Sequence, residues 1–267
     1  MDKGLIRAAL ALALCAAASA SLAGEPAPFA SVTPTARVEY WQKRLVEIDH
    51  TLQDQAWVRR VKLVFIGDSI TDFWTMDEDL WVPGKWHGAT IWNDTFAGRD
   101  PKLFGLDLGI SGDRTEHILY RLLPKAKGGL GELDTPALEP DYLIIMAGIN
   151  NSWAPESEEV QSIIDGVKAV VAAAHRAKPN AKIILQSLLP TPDGRKNQEV
   201  VLPVNAALEA AAANHRLDGD VVFLDLYSGF VDSSGGQIGT LFVDGLHPNR
   251  EGYRIWRDRL TPTLTAR

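Results

Sequence analysis

Cysteine is nearly absent: the one thiol in 267 residues is Cys15. A disulfide framework and a cysteine nucleophile are therefore excluded for the body of the chain. Excess basic charge is missing too. With 27 Lys and Arg against 34 Asp and Glu, the net charge is −7, and no basic block offers a polyanion a face. Nucleic acid is excluded as a partner on that ground, because binding it requires cations that displace its counterions. Beyond the first residues no apolar run approaches the roughly 20 residues of a membrane span, so no membrane span is expected. The His and acidic residues show no compact ligand spacing such as His-Glu-x-x-His, so no metal is predicted, and no organic cofactor is called for.

What is there is enough apolar material, 46% of residues, for one substantial core. Residues 1–23 read as a signal peptide, with Lys3 and Arg7 ahead of an apolar run too short to span a bilayer. Small residues Ser21 and Ala23 mark the cleavage site, and Leu14 before Cys15 speaks against lipoprotein processing. The expected location is the periplasm or the medium. Residues 24–35, rich in Pro and Ala, read as a flexible leader, and residues 36–267 as a single domain with an N-terminal helix over 37–54.

Short apolar runs at 62–66, 105–110, 142–147, 183–187 and 221–226 read as strands. Helical periodicity fills 116–123, 156–177 and 199–215, and a last helix follows Pro248. The alternation predicts an α/β fold, with helices on both faces of a parallel sheet of about five strands. Three of those strands end in polar or glycine-rich sequence: Gly67-Asp68-Ser69, Gly109-Ile110-Ser111-Gly112-Asp113 and Gly148-Ile149-Asn150-Asn151. Ligands gather at the carboxyl ends of such strands, so the three should share one rim.

Ser69 sits at a strand-to-helix turn behind small Gly67, where a hydroxyl is exposed; alone it reads equally as a helix cap. A nucleophilic role needs a base. Of the six histidines, His247 stands out within Asp244-Gly-Leu-His247-Pro248, where the carboxylate can curl back onto the imidazole. A carbonyl attacked by Ser69 would need donors for its oxyanion, and the backbone N–H groups of Ser69 and Gly112 with the Asn150 amide stand on the converging strand ends.

Gly67-Asp68-Ser69-Ile70, Gly112, Gly148-x-Asn150 and Asp244-x-x-His247 together resemble the four blocks of the SGNH hydrolases, or GDSL esterases, across about residues 61–256. The branch around the intracellular platelet-activating-factor acetylhydrolase catalytic subunits and related bacterial esterases looks nearest. The resemblance implies a three-layer, flavodoxin-like α/β/α sandwich. It implies Ser69 as nucleophile, His247 as base, Asp244 as its orienter, and Ser69, Gly112 and Asn150 as the oxyanion hole. Asn151 departs from the pattern, since many members carry Asp there. Asp68, Trp74 and Asn151, within or beside these blocks, are expected to touch substrate.

Phe73, Trp74, Trp81, Trp86, Trp92 and Phe96 crowd the segment after Ser69, either as core or as platforms for sugar rings. The expected partner is a small-molecule or carbohydrate ester, most simply an acetyl ester. A lipid ester is the second reading, and a non-catalytic glycan binder on the same fold is the third. Residues 232–240, rich in Ser and Gly, read as a mobile loop beside His247 or as an inert connection. One chain sets no oligomeric state.

Overall fold

The computed structural model describes residues 27–37 and 40–264. The expected signal peptide lies outside the described residues. At the centre are five strands: β1 (Leu63–Gly67), β2 (Gly105–Asp107), β3 (Tyr142–Met146), β4 (Lys182–Gln186) and β5 (Val221–Leu224). All pair in parallel, in the order β2-β1-β3-β4-β5. β1 and β3 are buried along their whole length, which is why they read as unbroken apolar runs rather than alternations. The register sets Gly67 opposite Met146, so β1 and β3 end at the same level.

Between β2 and β3 runs the helix α1 (Thr115–Leu122), between β3 and β4 runs α2 (Glu159–Ala177), and between β4 and β5 runs α3 (Leu202–Ala213). These three pack in sequence on one another. The segment after β1 and the final helix α4 (Arg250–Leu260) pack together through an aromatic cluster. Trp74 lies at its centre, with ring centroids 4.6 Å from Tyr253, 4.9 Å from Trp256 and 5.6 Å from Phe96.

Several boundaries shift for local reasons. β2 ends at Asp107 rather than at residue 110: the Asp107 carboxylate accepts the Gly109 N–H at 2.7 Å, while Leu108 and Ile110 still donate to the Phe65 and Gly67 carbonyls of β1. α3 begins at Leu202 behind a π turn over Asn197–Val201, a widening just ahead of Pro203, which has no N–H to give. The leader is not loose where it is described. Glu156 accepts the Ala30 and Ser31 N–H groups, and Ser31, fully buried, bonds Ser162 and Thr115. That use of Glu156 leaves α2 to start at Glu159 rather than at residue 156. Among the described residues no helix is long and apolar enough to cross a membrane.

Candidate active site

At the carboxyl end of β1 the chain turns directly into one helical turn, Ser69–Asp72. Gly67 makes that turn possible: a Cβ there would lie 2.1 Å from the Thr71 hydroxyl oxygen and 2.5 Å from the Met146 carbonyl. The helix cap is Asp68, whose Oδ1 accepts the Ile70 N–H at 3.0 Å. The Ser69 hydroxyl is thereby released from capping. Its Oγ lies 2.9 Å from His247 Nε2, and His247 Nδ1 lies 2.7 Å from Asp244 Oδ2. Asp244 Oδ1 also accepts the N–H groups of Leu246 and His247, each at 2.9 Å. Burial pushes the Asp244 carboxyl up, but these hydrogen bonds outweigh it and hold the group well below the usual carboxylate range. A fixed anion therefore faces Nδ1, which makes Nδ1 the protonated nitrogen of the neutral ring and leaves Nε2 as the acceptor of the Ser69 hydroxyl.

Three N–H donors stand beyond the carboxyl ends of β1, β2 and β3. Gly112 has φ +79°, a left-handed backbone suited to glycine. Neither its N–H nor that of Ser69 donates to another group among the described residues. The Asn150 amide spends one N–H on the Asp113 carbonyl, at 2.9 Å, which ties the β3 end to the β2 end, and its second N–H meets no acceptor among the described residues. Under the Gly112 turn, Asp113 is clamped by Arg37 at 2.8 Å and by fully buried Arg121 at 2.8 Å, and Arg121 is held in turn by Glu132. Removing any member would strand a buried charge. A serine hydroxyl hydrogen-bonded to an imidazole, with unspent N–H donors at neighbouring strand ends, is an arrangement suited to acyl transfer.

The profile of the GDSL-like lipase/acylhydrolase family matches residues 65–255, most of the chain and all of these blocks. The chain belongs to that family. It is a carboxylic ester hydrolase with the family's α/β fold. Human platelet-activating factor acetylhydrolase IB subunit alpha1 is 29% identical over 237 residues, 87% of each chain. A GDSL-like lipase from Bacteroides thetaiotaomicron superposes with a TM-score of 0.58 at 21% identity, covering 84% of this chain and 97% of its own. A variant of a Geobacillus acetyl-xylooligosaccharide esterase superposes at 0.52 with 21% identity, covering 78% and 95%.

Three residues of this GDSL-family chain expected to touch substrate are placed elsewhere. Trp74 is fully buried in the aromatic cluster, because a ring directed onto α4 gains more from packing than from standing in water. Phe73, Trp92 and Phe96 are buried likewise, while Trp81 and Trp86 stay exposed. Asp68 is turned inward as the cap, and burial pushes its carboxyl up to about 7, with Oδ2 lacking any hydrogen-bond partner. Asn151 is buried too. It accepts the Thr115 N–H at 3.1 Å and donates to Glu116 Oε2 at 2.9 Å, so it fastens the start of α1 to the β3 end.

A second imidazole was not singled out by the sequence. His87, 1% exposed, lies between Asp79 Oδ2 at 2.7 Å and the Pro248 carbonyl at 2.8 Å. Phe73 packs against both His87 and His247, with ring centroids at 4.9 and 4.8 Å. His87 therefore braces the residue next to the base. The only sequence signal was an Asp eight residues before a His, which is too common to select.

Proposed function

We propose that the protein is an exported serine esterase that removes acetyl groups from carbohydrate esters. Ser69 attacks the ester carbonyl, His247 Nε2 takes its proton, and Asp244 steadies the imidazolium. The carbonyl oxygen, now negative, is held by the N–H groups of Ser69 and Gly112 and by the Asn150 amide. His247 returns the proton to the leaving alcohol, and water then releases acetate by the same route. The observation that carries this reading is the unbroken chain from Asp244 through His247 to Ser69, 2.7 and 2.9 Å long.

Acetyl is the group named in both a relative and a structural neighbour, the platelet-activating factor acetylhydrolase subunit and the acetyl-xylooligosaccharide esterase. The cavity wall beside Gly112 and Asn150 carries Thr35, Arg37, Arg114 and His117 next to the indole of Trp153, a mix of polar groups and one flat ring that suits a hydrated sugar better than a long alkyl chain. Export rests on the character of residues 1–23. A second reading, deacetylation of a lipid, is favoured by the identity to the acetylhydrolase subunit.

Hydrolysis of p-nitrophenyl acetate, butyrate, octanoate and palmitate by the chain and by its Ser69→Ala variant tests the reading, with acetylated xylo-oligosaccharide and an acetylated ether phospholipid as competing substrates. Activity should be highest on acetate, fall with chain length and vanish in the variant, and the oligosaccharide should outcompete the lipid. A preference for octanoate or palmitate would overturn the acetyl assignment, and activity surviving in Ser69→Ala would overturn the nucleophile.

A further inference from the structure

Gly112 and Asn150 also form one wall of a cavity of about 540 Å³, whose other sides include Arg37, Arg114, His117 and Trp153. The two guanidinium groups have carboxylate partners, but these are sealed away from water. Asp113 behind Arg37 is fully buried and Glu116 beside Arg114 is 5% exposed, whereas the arginine side chains stay 22% and 34% exposed. The positive ends therefore face the cavity and the negative ends the core. Arg37 spends Nη1 on Ser111 O and Asp113 and lays Nη2 over Gly112, 3.0 Å from where a Cβ would stand. Neither Arg37 Nη2 nor the terminal nitrogens of Arg114 donate to any acceptor among the described residues.

His117 adds a donor of another kind. It is 6% exposed, and its Nδ1 accepts the Arg114 N–H at 3.0 Å, which puts the proton of the neutral ring on Nε2. Nε2 meets no acceptor among the described residues. Burial first, and then the charges of Arg114, Arg37 and Arg121, hold the imidazole down to about 3, so it stays a neutral N–H donor at any working pH. Trp153, 56% exposed, closes the cavity with Lys196 Nζ 3.6 Å from its ring centroid. Unspent N–H groups of Arg37, Arg114 and His117 thus line one cavity together with Gly112 and Asn150.

We propose that this cavity is a subsite for an anionic group, a carboxylate or a phosphate, carried on the alcohol half of the ester beside the bond that is cut. The placement on the alcohol half rests on the acetylesterase reading above, because an acetyl group has no position for a second charge. A uronic acid unit of an acetylated oligosaccharide would supply the carboxylate, with Trp153 as a ring platform. A glycerol phosphate would supply the phosphate. Paired guanidinium groups bind either oxygen cluster with geometric as well as charge selectivity.

Two matched pairs test the subsite: monoacetylated glucuronic acid against monoacetylated glucose, and acetylated glycerol phosphate against acetylated glycerol. The acidic member of at least one pair should have the higher kcat/KM by about tenfold, the scale of a charge-assisted hydrogen bond. That ratio should shrink in high salt. Arg114→Gln should bring it toward one, and Arg114→Lys should restore part of it. A ratio near one in both pairs, or a ratio untouched by Arg114→Gln, overturns the subsite. Preference confined to the sugar pair identifies the carboxylate as the ligand, and preference confined to the glycerol pair identifies the phosphate.

Calorimetric binding of glucuronate, glucose and inorganic phosphate to Ser69→Ala separates this inference from the esterase reading. Anion binding that is lost on adding Arg114→Gln supports the subsite even where no ester is hydrolysed, an outcome that would defeat the esterase reading alone. Hydrolysis without anion preference or anion binding defeats the subsite alone.

Discussion

Asp68 and Ser69 show how the assignment of one hydrogen bond decides what a neighbour can do. Either side chain could cap the turn after β1; Asp68 takes that task, and Ser69 is left to His247. Burial of Asp68, with Oδ2 unpaired, is the cost of that division of labour. Asn150 gives one amide hydrogen to the Asp113 carbonyl, and in the proposed mechanism the other goes to the substrate oxygen. Asn150→Ala should therefore lower kcat by roughly 10²–10³ while the protein stays folded, as loss of one oxyanion donor does elsewhere. Steady-state kinetics with p-nitrophenyl acetate beside circular dichroism checks this, and an unchanged kcat removes Asn150 from the site. That Ser69, His247 and Asp244 would lie together was legible in sequence because they fall in short blocks of a recognisable pattern, and the structure places them in one hydrogen-bonded row. Trp74 was not, since an indole near the nucleophile serves the core or the cleft equally well until the face it points to is known.

At the scale of elements, the junction between the start of α1 and the end of β3 is held by Asn151, whose amide must both accept and donate. Thr115 N–H requires an acceptor and Glu116 requires a donor. Here lies the reason for departing from the Asp common at this position: a carboxylate would face Glu116 with no proton to offer. Asn151→Asp should destabilise the fold by about 1–3 kcal/mol, the cost of leaving a buried acceptor unpaired, and Glu116→Gln should recover part of it by restoring a donor. Urea unfolding of the two single variants and the double variant measures the coupling. Wild-type stability in Asn151→Asp would show that the junction does not depend on this amide. Strand and helix identities were legible from apolar runs and periodicity, but the strap of residues 29–35 was not. Its anchors are a buried Ser31 and the distant Glu156, and composition alone makes such a segment look like a linker. The brace of His87 on Pro248 escaped for the same reason, since its partners lie 161 residues apart.

Over the whole molecule, the strand order β2-β1-β3-β4-β5 places β1 where the order reverses, with β2 on one side and β3 on the other. In such sheets the crevice for ligands opens at that point, beyond the strand ends. Ser69, Gly112 and Asn150 follow β1, β2 and β3 in turn, so the topology brings three sequence blocks to one place. His247 arrives from 178 residues away, carried by the segment leading into α4, and Tyr253 on α4 locks that helix to the Ile70 carbonyl at 2.7 Å. A parallel α/β sheet was readable from the alternation of runs, and the convergence of strand ends followed from it. The partner of each strand was not readable, because apolar runs of similar length and composition pair with one another equally well.

In the proposed mechanism Ser69 is a nucleophile because His247 takes its proton. Labelling the chain with a small organophosphorus ester and locating the adduct by peptide mass spectrometry tests it most directly. The proposed mechanism predicts one adduct per chain, on Ser69. It also predicts labelling at least about a hundredfold slower in His247→Ala, the lower bound for loss of a general base. An adduct on another residue, or Ser69 labelled as fast without His247, would contradict it.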